Sequence, residues 1–404
     1  MTATETRLTD YIHQTLPLTV QPDGAKCGLP RSYTTPCVKE DFMHFFYWDT
    51  YFTNLGLFEI GMYDQAENNL CNIASLIERL GFMPNADVLT DRSQPPLFVR
   101  GVYDYWRRTG DRSCIARFLP AMLREYEFWM TERMTPCGLN RYQGQADSPV
   151  LGEFSRGIRR RLRLGEAPAE TDEALGFLAV AESGWDFSSR FFTQGRCNAL
   201  ELCPVDLNAI LYDVECKLGG FLELAGREDE AGQMRLRARD RRERMRLLMR
   251  EPADCVYYDY NFAKGETTGK LTAAALAVWA FGVEENPSGL FAVLGALETE
   301  FGLLSSERGS GERKFQWDYP MMWPPLAYIG AAAALRAGER QAAVRLMKKY
   351  CRTVEQVFCE TGKLWEKYDV VRCGVGESVE YATPPMMGWT AGVYLHFKSQ
   401  LNKS

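Results

Sequence analysis

Between positions 63 and 80 the apolar residues Ala66, Leu70, Ile73, Ile77 and Leu80 recur at three- and four-residue spacing, the period of one helix face. Asp64 and Glu67 sit in its first turn, where negative charge meets the positive helix end, and Gly81 follows as a left-handed stop. The stretch 207–225 repeats the pattern with Leu207, Ile210, Leu211, Val214, Leu218 and Phe221, closed by Gly226. Junctions built alike, GMYDQA at Gly61, GDRS at Gly110, GREDEA at Gly226 and GERQA at Gly338, pair a helix-ending glycine with an acid that favours the next helix start. These are signals of tight αα-hairpins. Further helices are predicted over 114–130, 228–249, 272–281, 289–301, 326–336, 340–357 and 385–398, and the best strand is short, 255–260.

About a dozen helices joined by short turns predict an all-α chain whose helix pairs form two concentric rings, an (α/α)6 barrel. An α-solenoid is the competing arrangement, but a solenoid repeats at a fixed period and the glycine junctions here are irregularly spaced. No Pro/Gly/Ser-rich linker divides the 404 residues, so 1–404 is expected to be one domain.

Composition narrows the partners. A net charge of −6 disfavours nucleic acid and anionic membranes, which need clustered positive charge. The Arg-rich run 235–246 is interleaved with acids and with Leu236, Met245 and Leu248, the pattern of a solvated outer helix face. The opening MTATETRLTDYIHQ has no apolar stretch behind a basic start, and no apolar run is long enough for a membrane span, so neither export nor insertion is expected. The 12 cysteines are scattered without a CxxC pair, and Cys197 and Cys203 lack zinc-ligand spacing. Reduced thiols, no metal and a cytoplasmic location are the resulting expectations.

Four segments place polar groups among aromatics: FFYWDTYF (45–52), PNADVLTDRSQPP (84–96), ESGWDFSSRFF (182–192) and QWDYPMMWPP (316–325). They read as loops between helices. Pyranose rings present C–H faces for indole stacking and a rim of hydroxyls for carboxylates, amides and guanidinium groups, so this composition points to a small carbohydrate.

The order and wording of these segments resemble the trehalase family of glycoside hydrolases and, more broadly, related (α/α)6 inverting α-glucosidases and α-mannosidases. QWDYPMMWPP is similar to the family's QWDxPxGWxP, FFYWDTYF to YYWDSYF, and ESGWDFSSRFF to ESGWDFSSRW. NRYQG, the PN…RSQPP block, YYDYN, LWEKYDV and EYATPPMMGWTAGV extend the likeness over about 45–393.

By position, the resemblance implies that Asp186 is the general acid and Glu380 the general base of an inverting hydrolysis, which needs no metal or organic cofactor. Such enzymes hold the two carboxyls about 6.5 to 9.5 Å apart to admit a water. Glu366 and Glu377 are rivals for the base, and Asp186 read without the resemblance is rather a helix-capping carboxylate before 187–190. Trp48, Asp49, Asn85, Arg92 and Gln94 are implied to hold the glycone sugar, and Trp317, Asp318 and Trp323 to line the same cavity. Phe42, Trp185, Glu366 and Trp389 complete the candidate set, with Glu366 and Asp369 as supports of the floor. For the aromatic row and Asp49, core packing and helix capping are the alternatives.

Two family features are absent. PCVKEDFMH replaces the PGGRFxE lead-in, putting Asp41 where an arginine is expected, and SPVLGEFSRGIRRRLRLGEAPAE stands in place of RPESYRED. Altered handling of the leaving group is expected, with Glu153 and Arg156 as candidate remnants of the replaced segment and the Arg159–Arg163 cluster either contacting an acidic aglycone such as a glycerate or forming a solvated face. The leading expectation is hydrolysis of trehalose or another short α-glycoside. A non-catalytic sugar-binding homologue is an alternative, and a sugar epimerase is disfavoured because none of the 3 histidines lies in the matched motifs.

Overall fold

The computed structural model describes residues 3–22, 24–39, 42–165, 171–309, 315–385 and 388–403. In chain order the helices are α1 (Ala3–Thr15), α2 (Tyr47–Glu59), α3 (Tyr63–Leu80), α4 (Phe98–Thr109), α5 (Ser113–Glu132), α6 (Ser148–Arg161) and α7 (Thr171–Glu182). They continue as α8 (Val205–Leu224), α9 (Glu228–Leu248), α10 (Ala277–Ala280), α11 (Ser288–Leu297), α12 (Pro324–Arg336), α13 (Arg340–Thr361) and α14 (Gly388–Asn402).

Contacts α2–α4, α4–α8, α8–α10, α10–α12, α12–α14 and α14–α2 close an inner ring. Outside it, α3 packs on α2 and α4, α5 on α4 and α8, α9 on α8, and α13 on α12 and α14. This is the (α/α)6 barrel. The inner helix α2 is buried on all sides because it touches both the barrel centre and the outer ring, whereas α3 and α13 carry one apolar stripe. That difference explains α2. All of 47–58 is buried, so no polar stripe betrays a helix, and the segment read as an aromatic loop forms an inner-ring helix instead. At Gly392 of α14 a Cβ would lie 1.9 Å from the Phe52 carbonyl oxygen, so α14 and α2 meet backbone to backbone.

The junction glycines Gly61, Gly81, Gly110, Gly226 and Gly338 all adopt positive φ, from 72° to 89°, as helix-ending turns require. The helix predicted over 272–281 is split into a 3-10 turn, Ala273–Leu276, and α10. The one predicted over 289–301 stops at Leu297, where the chain turns back through a Glu298–Leu303 bridge. Strands are two-residue pieces, among them the antiparallel set Met321–Met322, Tyr368–Asp369 and Gly374–Val375. The predicted strand 255–260 contributes a bridge at Tyr257 and the first residue of the strand Tyr260–Asn261.

One continuous apolar cluster fills the barrel, and a satellite of Leu151, Ala174 and Leu178, with Phe154 and Leu175 against it, joins α6 to α7. Asp41 lies outside the described residues, as do 166–170 of the unmatched stretch.

Candidate active site

The chain leaving α7 is pinned on several sides. Glu182 takes both arms of the buried Arg133 guanidinium, each at 2.9 Å, together with the amides of Ser93 at 2.9 Å and Gln143 at 2.8 Å. One carboxylate thus ties α7 to the RSQPP and NRYQG segments. Arg190, 1% exposed, is paired bidentately with Asp206 and with Asp259 at 2.6–2.9 Å, and its guanidinium lies 4.8 Å from the Trp185 ring centre. Asp318 accepts hydrogen bonds from the Ser188 hydroxyl at 2.7 Å and the Ser189 amide at 3.0 Å. Asp186 is therefore carried on a braced turn. Gly184 in that turn has φ 76°, and a Cβ there would lie 2.9 Å from Trp48 Cζ2, so this approach admits only glycine without displacement.

The turn opens on a cavity of about 270 Å³ lined by Phe42, Trp48, Asp49, Asn85, Arg92, Gln94, Asp186, Trp317, Trp323, Glu366 and Trp389, joined by Phe46, Arg161 and Tyr381. That volume is near the low end for small-molecule sites. Trp317 and Trp323 stack face to face, 3.7 Å apart and 4° from parallel, with Trp48 tilted at 5.8 Å and Trp389 edge-on to both Trp48 and Trp323. Gln94 Oε1 accepts the Trp48 amide at 3.1 Å, and the Arg92 guanidinium sits 5.2 Å from the Phe154 ring centre of α6.

Carboxyls crowd this small space. Burial pushes Asp49 up to about 8, reinforced by the neighbouring Glu366 and Asp186 charges. Asp186 is also raised by burial, against the lowering pull of Arg161 and Arg92. Burial drives Glu380 up to about 7, opposed chiefly by Arg161. The Glu380 side chain is 2% exposed and sits behind the cavity wall, its Oε1 accepting the amides of Phe187 and Gln316, both at 3.3 Å. Its Oε2 approaches Arg161 Nε at 2.8 Å as an ion pair, yet neither atom has an aligned hydrogen-bond partner among the described residues.

The rivals differ. Glu366 has both oxygens engaged, Oε2 by Lys367 Nζ at 2.6 Å and Oε1 by the Tyr381 hydroxyl at 2.7 Å, and its carbonyl accepts Trp389 Nε1 at 3.0 Å. Glu377 is exposed and is not among the lining residues. Asp318 and Trp185 do not face the cavity: the first braces the Asp186 turn, and the second stacks behind Trp317 at 5.4 Å. Asp369 caps a turn through the Val371 and Arg372 amides.

Of the arginine cluster, Arg161 alone among the described residues reaches the cavity. Arg159 clamps Glu173 at 2.6–2.7 Å, while Arg156, Arg160 and Arg163 are exposed. Sequence reasoning left Arg161 undistinguished within its run and missed Tyr381 and Lys367 as partners of Glu366. A helix start at Ser148 followed by Pro149 is the signal that would have placed Arg161 on the last turn of α6.

A ring of paired helices with buried carboxyls beside a tryptophan-walled cavity defines a helical-barrel glycoside hydrolase. The Trehalase family model matches residues 17–402, and the chain belongs to that family. It is 34% identical over 396 residues to the periplasmic trehalase of Pseudomonas aeruginosa, covering 91% of this chain and 70% of that protein. It is 31% identical over 392 residues to the periplasmic trehalase of Salmonella schwarzengrund, covering 91% and 68%. Among solved structures it is similar to neutral trehalase Nth1 from Saccharomyces cerevisiae, with TM-score 0.76 and 21% identity over 98% of this chain and 80% of that one. The mannosylglycerate hydrolase of Thermus thermophilus shares the fold, with TM-score 0.64 and 15% identity over 97% and 100%.

The relatives named as periplasmic overturn the cytoplasmic expectation. That expectation rested on reduced thiols. No disulfide is formed among the described residues, but Cys37, Cys114, Cys203, Cys351 and Cys373 are buried, and a thiol shielded from oxidant says little about its compartment. No helix among the described residues is long and apolar enough to cross a membrane.

Proposed function

We propose that this chain hydrolyses trehalose by single displacement, with Asp186 as the acid and Glu380 as the base, acting as one catalytic unit in the compartment of its periplasmic relatives. The observation that carries the assignment is the contrast between Glu380 and Glu366. General-base work needs an oxygen not already committed to a hydrogen bond, and Glu380 Oε2 carries the Arg161 ion pair without an aligned hydrogen bond among the described residues, while both Glu366 oxygens accept one.

One glucose ring enters against Trp48, Trp317 and Trp323, with Asp49, Asn85, Arg92 and Gln94 meeting its hydroxyls. The ring covers the Asp186 carboxyl, whose side chain is 38% exposed. Losing water disfavours its charged form, so substrate loads the proton onto Asp186, whereas the already buried Glu380 changes less. Asp186 then protonates the glycosidic oxygen as the C1–O bond breaks. A water deprotonated by Glu380 attacks C1 from the opposite face. The attacked glucose leaves as the β-anomer, and the departing glucose keeps its own α configuration because its C1–O bond is untouched.

Incubation with trehalose and a panel of α-glucosides and α-mannosides tests the substrate. Glucose release from trehalose ahead of the others is expected. Turnover of another glycoside with trehalose left intact would overturn the assignment.

A further inference from the structure

We infer that Arg161 is a positioning residue that divides the work between the two carboxyls, holding Glu380 as the ionised base and leaving the proton to Asp186. This inference rests on the roles proposed above for Asp186 and Glu380. It arises from the segment in which the chain departs furthest from the family's motifs, of which 148–161 form α6.

The guanidinium approaches the two acids unequally. Its Nε is 2.8 Å from Glu380 Oε2, whereas Nη2 is 3.6 Å from Asp186 Oδ2. The hydrogen bond that Nη2 donates to Asp186 goes to the main-chain carbonyl, at 2.9 Å, not to the carboxyl. Charge therefore favours ionisation at Glu380 more than at Asp186, since attraction falls with distance. Without that cation, a carboxyl only 2% exposed would be forced to keep its proton and could not act as a base.

The cation is itself fixed. Its guanidinium packs 5.0 Å from the Tyr381 ring centre and 5.7 Å from that of Phe187. Two residues earlier Arg159 clamps Glu173 of α7, anchoring the last turn of α6. The other charged or titratable groups around the pair do not replace it. Arg92 acts on Asp186, Lys367 is paired with Glu366, and Tyr381 donates to Glu366. Glu366 adds negative charge that opposes ionisation of both Asp186 and Asp49.

The test is kcat/KM for trehalose against pH in the full chain, for the parent, Arg161→Gln and Arg161→Lys, with Glu380→Gln measured alongside. Thermal unfolding of each variant confirms folding. Because kcat/KM reports the free enzyme's ionisations, the acid limb follows the base. In Arg161→Gln that limb is expected to move to higher pH by about 1 to 3, the effect of an opposite charge at this range, so activity on the low-pH side drops at least about tenfold. Arg161→Lys retains the charge and lies between. An acid limb that stays in place in both arginine variants, whatever the loss in rate, would overturn the inference while Glu380 stands. A Glu380→Gln enzyme with normal rate and an unchanged acid limb would overturn the base assignment, and this inference with it.

Discussion

Replacing Gly184 by alanine places one methyl group between the Asp186 turn and the sugar-facing indole. Its Cβ would fall 2.9 Å from Trp48 Cζ2 and 3.0 Å from Cε2, both inside normal contact. Trp48 is packed on Trp317 at 5.8 Å, Phe52 at 5.9 Å and Trp389 at 6.2 Å, so it yields only into the sugar cavity that it lines. The left-handed backbone costs a non-glycine residue roughly 1–2 kcal/mol. Overpacking of this kind adds roughly 1–3 kcal/mol. A loss of about 2–5 kcal/mol in urea unfolding is expected, with reduced kcat/KM because Asp186 is two residues on. Gly195 supplies the control: it has the same φ of 76° with nothing among the described residues within 4 Å of a built Cβ. Gly195→Ala should therefore cost only roughly 1–2 kcal/mol and leave kcat/KM unchanged. Equal effects of the two substitutions on stability and rate would refute the claim that the Trp48 contact sets the turn.

Asp186→Asn and Glu380→Gln should each lower kcat by about 10²–10⁴ or more with thermal unfolding nearly unchanged, and Glu366→Gln should cost less in kcat than Glu380→Gln. A larger kcat loss for Glu366→Gln would transfer the base to that residue. Asp49, raised to about 8, gives a pH signature of its own. Below about pH 4 both folded and unfolded chains hold the Asp49 proton; as pH rises toward 8 only the unfolded chain releases it, so the parent loses stability relative to Asp49→Asn across that window. A Tm difference between the two that does not grow from pH 4 to 8 would contradict the buried, protonated state.

The barrel was legible where helices have a wet side. α3 and α9 begin at the residues their patterns indicate, since a solvent-facing stripe gives the period its contrast. α2 and α4 escaped because one is buried throughout and the other opens directly after the RSQPP block without a capping side chain. At the site, motif order carried the lining residues Trp48, Asp49, Arg92, Asp186 and Trp323. Motif order could not tell Trp317, on the wall, from Trp185, one layer behind it, because both are aromatic and buried and only three-dimensional stacking separates them. Arg161 was obscured for another reason: arginines clustered in one run look alike until α6 docks on α7 and turns one of them inward.

Single displacement requires Asp186 and Glu380 to act on opposite faces of one sugar, and proton NMR of trehalose hydrolysis, read before mutarotation, reports on that requirement. Inversion at the attacked ring and retention at the leaving ring should make β- and α-glucose appear together in equal amounts. Early release of α-glucose alone would contradict the assignment, because it would mean the attacked centre kept its configuration through a covalent intermediate.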